Sequence, residues 1–238
     1  MSDDVRATLA TNGFAIIDSY LGDDDVRRLL ASLDVGPAPV DDIDASLRAR
    51  RGVVFARRNL LSSPTVRTFA GTTPVRSLVD AVAPGAAPVR AILFDKTGDA
   101  NWTVPWHQDR SIAVRRRADV DGFGPWSEKA GVVHVQPPPA ILREMLTLRF
   151  SLDPCDTDNG PLRVIPATHH RILDQREVAD AAGRGPETLC TTAAGGVVLM
   201  RPLILHASSP ARRVGHRRVL HVEFGPPTLP GGLQWAVA

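Results

Sequence analysis

Three residues in this 238-residue chain have the types and spacing to hold a divalent metal. His107 and Asp109 stand two apart in "VPWHQDRSIAV" (104–114), and His206 closes the apolar run of "LILHASSP". On a β-strand, a two-residue spacing returns side chains to the same face. An extended 104–114 would therefore aim the imidazole and the carboxylate at one point. His206 ends a strand too apolar to bury an unpaired imidazole cheaply. Two histidines and one carboxylate form a facial donor set that leaves three adjacent metal positions open. That arrangement suits non-haem Fe(II) working with O2 and a chelating cosubstrate. A lone His-x-Asp is more often a polar strand end, and the distal histidine is what gives this pair weight.

A chelating cosubstrate with a second carboxylate needs an anchor. Arg217 lies eleven residues after His206, in "HRRVLHVEF" (216–224), where a returning strand would run beside the metal strand. Arginine offers a bidentate fork and keeps its charge when buried. Alternation puts Arg217, Val219 and His221 on one face and Arg218, Leu220, Val222 and Phe224 on the other. The second face is apolar and suits packing under helices, so Arg217 is the expected anchor. In "LTLRFSLD" (146–153), Arg149 shares a face with Thr147 and Ser151 and is expected in the barrel mouth. Two roles stay open for it: contact with the cosubstrate or an acidic substrate, or a buried ion pair with an acid such as Glu223. Lys96 shares the face of Arg90, Ile92 and Phe94, although a strand-end lysine ordinarily lies in solvent.

The elements that must position these groups change character along the chain. "GFAIIDSYL" (13–21) reads as a strand, "DDDVRRLLASL" (23–33) as an acid-capped helix and "TPVRSLVDAVAP" (73–84) as a second helix stopped by Pro84 and Gly85. Residues 34–63 hold two arginine clusters and show no clear period. From residue 89 onward, short strand-like runs alternate with Gly, Pro, Asn and Asp: 89–96, 146–153, 162–168, 195–209 and 216–224. These suggest a β-sandwich or barrel with helices over one sheet. The reading is one domain, 1–238, with a mostly helical part (1–88), a core (89–225) and an insertion (115–145). That insertion is long for a connecting loop and carries Trp126, His134 and Gln136 among glycines and prolines, a mixture suited to a lid. Trp106 is a further candidate for the pocket wall. Each aromatic has an ordinary alternative as packing, and His134 as an exposed loop histidine.

Composition narrows the class. With 28 basic and 26 acidic residues the formal charge is +2, which argues against a nucleic-acid partner. No run of about 18 apolar residues predicts a membrane span, and the mixed, acidic opening is unlike a secretory signal. Two cysteines, Cys155 and Cys190, make no disulfide framework, so a reducing cytoplasmic setting is expected.

"PWHQD", "CDTDNGPLRVIPATHH" and "LILHASSPARRVGHRR", in that order, resemble the phytanoyl-CoA dioxygenase family of Fe(II)/2-oxoglutarate oxygenases. The resemblance runs from about residue 89 to 225, and more loosely to "NGFAIID". It implies a mainly β fold with flanking helices, a double-stranded β-helix of the cupin-like jelly-roll kind. It implies Fe(II) on His107, Asp109 and His206, and 2-oxoglutarate held by Arg217 with Ser208 as hydroxyl partner. O2 would be consumed, ascorbate would support activity, and a small organic substrate would be oxidised with release of succinate and CO2. The retained Asp109 implies hydroxylation or another oxidation, since related halogenases lack the carboxylate. "PATHH" departs from the family's frequent Pro-Gly-Ser-His, and Arg149 stands where some relatives carry an aromatic cavity residue. A non-catalytic cupin-like metal- and ligand-binding protein is the rival reading, but such a binder need not keep all four of His107, Asp109, His206 and Arg217.

Overall fold

A computed structural model of the protein describes residues 2–33, 47–50, 53–129, 131–213 and 215–236. The expectations for residues 34–46 lie outside these. Helix α1 (Asp3–Asn12) starts on the Ser2 hydroxyl, which accepts from Val5 N–H, and ends at Gly13, whose φ of 81° only glycine adopts without strain. Strand β1 (Phe14–Ile17) and α2 (Asp23–Leu33) follow, the helix opening on three aspartates that favour its positive end. Then come β2 (Leu47–Arg50), β3 (Val53–Arg57), α3 (Pro64–Ala70) and α4 (Thr73–Asp80).

The core begins with β4 (Ala87–Lys96), β5 (Val104–His107) and β6 (Ile112–Val114). The hairpin β7 (Trp126–Lys129) and β8 (Val132–Val135) precedes α5 (Pro139–Glu144). The rest is β9 (Leu146–Ser151), β10 (Leu162–Ile165), α6 (Gln175–Arg184), β11 (Thr188–Cys190), β12 (Val197–Met200), β13 (Leu205–Ser208) and β14 (Arg217–Gly225).

Seven strands form the large sheet in the order β1-β12-β9-β14-β4-β3-β2, and four form the second, β11-β10-β13-β5. The N-terminal part is therefore not only helical: β1, β2 and β3 belong to the large sheet, β1 pairing with β12 and β3 with β4. Period two divides the large sheet as its sequences require. Leu146, Leu148, Phe150, Leu220, Val222 and Phe224 point outward and are buried with Leu29, Val66 and Leu78 of the helices. Arg90, Ile92, Phe94, Arg149, Arg217, His221 and Glu223 point the other way, into a cavity of about 400 Å³.

The expected insertion is structured. Strands β6, β8 and β7 make a third small sheet. Val135, Ile141, Leu142 and Met145 join Val89, Ile112, Val114, Leu203 and Trp235 in a second core. The run 195–209 is two strands rather than one, broken at Arg201 and Pro202. No helix among the described residues is long and apolar enough to cross a membrane.

Candidate metal centre

His107, Asp109 and His206 each offer one donor atom, and these atoms lie within 4.8 Å of one another. His107 and His206 face each other across the β5–β13 register. Asp109 arrives differently from the sequence expectation. Strand β5 ends at His107, so alternation does not align Asp109; a loop does, pinned by its backbone N–H donating to Pro202 C=O at 2.9 Å. Asp109 Oδ1 stands 3.8 Å from His107 Nε2, and Oδ2 stands 3.6 Å from His206 Nε2.

The tautomers are set from behind. His107 Nδ1 lies 2.8 Å from Pro105 C=O and His206 Nδ1 lies 2.9 Å from Ile204 C=O. A carbonyl can only accept, so each Nδ1 carries hydrogen and each Nε2 faces the cluster. Burial, partly opposed by the Asp109 charge, lowers His206 to about 4, so its imidazole is neutral. Burial alone would raise Asp109, but His206 and His107 outweigh it and hold the carboxyl at about 2. A neutral imidazole at His206 and an ionised carboxylate at Asp109 are protonation states that suit a metal.

Gln108, between the two donors, was not singled out from sequence. It points the opposite way, is buried, and donates to Arg171 C=O (2.9 Å) and Leu203 C=O (2.6 Å) while accepting from Leu173 N–H (2.8 Å). One side chain thereby ties the metal loop to two other segments. The signal available in sequence was its place between two candidate donors.

Arg217 lines the same cavity and is only 3% exposed. Its Nε has no hydrogen-bond partner, and no ion pair reaches it among the described residues. A buried guanidinium in that state calls for an anionic ligand. Ser208 lies in the same wall. Lys96 is fully buried rather than in solvent: its ammonium donates to Ser208 Oγ (3.0 Å) and to Ser209 C=O. Burial, with Arg217 and Arg149 nearby, pushes Lys96 down to about 7. With its oxygen so engaged, Ser208 keeps its own hydrogen free to donate.

Arg149 also lines the cavity, but its ion pair with Glu223 is not formed. Glu223 pairs with Arg90 at 2.9 Å, and Arg149 reaches it only through His221. Arg149 donates to His221 Nδ1 at 2.9 Å, which leaves the imidazole proton on Nε2, 3.2 Å from Glu223 Oε1.

Four expected wall residues lie elsewhere. Trp106 is turned outward because the β5–β13 register slips between Val104 and His107, bringing both of those to the cavity; Trp106 packs instead near Ile165, Leu173 and Leu205 and under Arg163. Trp126 packs on the second core, with the Arg117 guanidinium 5.6 Å over its ring. His134 is buried in β8, its Nδ1 donating to Val132 C=O. Gln136 does not line the cavity; its backbone pairs with Gly124 and Pro125. Among the described residues of this segment, Lys129 is the one that reaches the cavity.

A family model described as phytanoyl-CoA dioxygenase matches residues 9–219. No curated protein matches the sequence significantly. Among solved structures, AviO1 from Streptomyces viridochromogenes Tue57 is 22% identical over 96% of each chain, with a TM-score of 0.66. EctD from S. alaskensis, with 2-oxoglutarate and 5-hydroxyectoine, is 17% identical over all of this chain and 83% of its own, with a TM-score of 0.74. The non-heme alpha ketoglutarate dependent carbocyclase SnoK from nogalamycin biosynthesis is 14% identical over 95% and 84%, with a TM-score of 0.68. At these identities the likeness establishes the fold, the double-stranded β-helix with flanking helices.

Proposed function

The chain belongs to the phytanoyl-CoA dioxygenase family of 2-oxoglutarate-dependent iron oxygenases, and from that premise we propose how its own residues serve the reaction. His107, Asp109 and His206 hold Fe(II). Arg217, with Ser208, anchors the far carboxylate of 2-oxoglutarate. A small organic substrate is oxidised while succinate and CO2 leave. The observation that carries this reading is the donor geometry: three donor atoms within 4.8 Å, with both imidazoles locked so that Nε2 faces the cluster.

When bound there, Fe(II) and 2-oxoglutarate supply the activation of O2 coupled to decarboxylation. The protein binds, orients and shields. Asp109 and the two imidazoles fix one face for the metal. Arg217 and the Ser208 hydroxyl fix the cosubstrate's orientation, and its charge is the counterpart their burial lacks. The Arg149–His221–Glu223–Arg90 row holds its own tautomers and keeps the wall rigid. Ile92, Phe94 and Leu162 supply apolar lining that limits water. The 115–145 segment covers the cavity mouth and sets substrate choice through Lys129. Two buried free thiols fit a reducing, cytoplasmic setting.

The test is succinate formation from 2-oxoglutarate with Fe(II), ascorbate and a metabolite panel, together with calorimetric titration of Mn(II). Asp109→Ala and His206→Ala should each abolish turnover and weaken metal binding by about tenfold or more. Wild-type metal affinity in both variants sinks the assignment. Tight metal binding with no succinate on any substrate points to the non-catalytic binder.

A further inference from the structure

The cavity has a second cationic end that neither the metal nor the cosubstrate occupies. Along the paired strands β4 and β14, the register runs from Arg217 opposite Lys96 to Glu223 opposite Arg90. Six residues at about 3.3 Å each separate these ends by roughly 20 Å. A five-carbon dicarboxylate spans only about 7 Å, so a cosubstrate anchored on Arg217 does not reach the far end.

That far end holds Arg90, Arg58, which lies one residue past β3, and Lys129 from the β7–β8 hairpin. Arg90 is neutralised by Glu223. Arg58 is not: its Nε is buried without a partner, and no carboxylate reaches its guanidinium among the described residues. Lys129 is held only by a neutral group, donating to Ser111 Oγ at 3.1 Å. Burial, and then the mutual repulsion of this cluster, lowers both Arg58 and Lys129 from their ordinary pKa values. Among the described residues that line the cavity, five arginine and lysine side chains face two carboxylates, Asp109 and Glu223. A divalent metal and a doubly charged cosubstrate cancel each other, so the excess positive charge survives loading.

We infer that Arg58 and Lys129 form the recognition site for an oxyanion, a carboxylate or a phosphate monoester, carried by the substrate. The anion binds at the mouth, and the carbon to be oxidised extends inward toward the metal cluster. The inference rests on the oxygenase reading for what occupies the inner end.

Calorimetry on the anaerobic enzyme loaded with Fe(II) and 2-oxoglutarate tests it, with acetate, methyl phosphate and the neutral methyl acetate as probes. The inner anchor is then filled, so a probe must find the outer one. At least one anion should bind measurably better than methyl acetate. Arg58→Gln and Lys129→Gln should each weaken it by about tenfold. Preference for acetate identifies a carboxylate substrate, and preference for methyl phosphate a phosphate ester. Binding of 2-oxoglutarate, titrated separately, should survive both variants and weaken about ten- to a hundredfold in Arg217→Gln. The inference is overturned if neither anion outbinds methyl acetate, or if anion binding is unchanged in both variants. Failure of 2-oxoglutarate to bind wild type would instead overturn the oxygenase reading, whatever the probes do at Arg58.

Discussion

Arg217 and Arg218 are neighbours with opposite surroundings. Arg218 is bidentate to Asp153, with both contacts at 2.8 Å, and its backbone N–H donates to the same carboxylate. Arg217 faces the cavity without a partner. Arg217→Gln should therefore weaken 2-oxoglutarate binding by roughly 1.5–3 kcal/mol, about ten- to a hundredfold, with little change in stability. Arg218→Gln should leave that affinity alone and lower thermal stability. Calorimetry and melting curves on the two variants check both halves, and exchanged phenotypes would reject the facing of β14. This pair is legible from sequence because alternation alone separates them. Asp109 is legible by type but not by cause, since a backbone bond to Pro202 places it. Lys96 is legible by its face, which alternation gives, but not by its burial; Arg58 is not legible at all, since its surroundings come from strands and loops distant in sequence.

Among elements, β1, β4, β9, β10, β12, β13 and β14 announce themselves by apolar runs between turn residues, and α2 by its three leading aspartates, whereas β2, β3 and β11 do not. Helices α1, α3, α5 and α6 escape the periodicity reading, although α6 carries a readable signal, the reciprocal capping box of Asp174 and Glu177. The β7–β8 hairpin escapes it as well, because its charged outer strand shows no alternation. Its buried histidine gives this element a pH signature. His134 donates from Nδ1 to Val132, and its Nε2 is buried without a partner. Burial lowers its pKa from 6.5 to about 4. Between those values the unfolded chain binds more protons than the folded one, so the contribution is complete above pH 6.5 and is lost as pH falls toward 4. Its full size is of order 3 kcal/mol. His134→Asn keeps a donor and removes the titration. Urea denaturation of both proteins at intervals from pH 7 to 4 should show wild type losing more stability than the variant. Parallel curves would mean that His134 titrates normally.

At the scale of the whole molecule, two larger cores organise the described residues, with two smaller apolar clusters beside them. The first lies between the helices and the large sheet. The second gathers β6, β8, α5 and the C-terminal segment, and it includes Leu203, whose carbonyl holds Gln108, beside Pro202, whose carbonyl holds Asp109. Trp235 fastens the second core. Its indole N–H donates to Pro226 C=O at 2.9 Å, its backbone bridges to Val114, and the flanking residues bond to Ala113 and Arg115. Gly225 makes room for the ring: a Cβ there would fall 2.6 Å from it. Sequence gives no hint of this closure, since it joins residues 112–115 to 234–236. Trp235→Ala should cost roughly 3–5 kcal/mol, the range for emptying a buried tryptophan site. For a chain of this size that lowers Tm by roughly 6–20 °C. Because the same core supports the Asp109 and Gln108 carbonyl partners, metal affinity should fall along with stability even though no ligand is touched. Differential scanning calorimetry with and without Mn(II) reads both quantities. A melting temperature within about 2 °C of wild type would show that the C-terminal segment merely lies on the surface. A large drop with unchanged metal affinity would show instead that the metal loop is held independently of the second core.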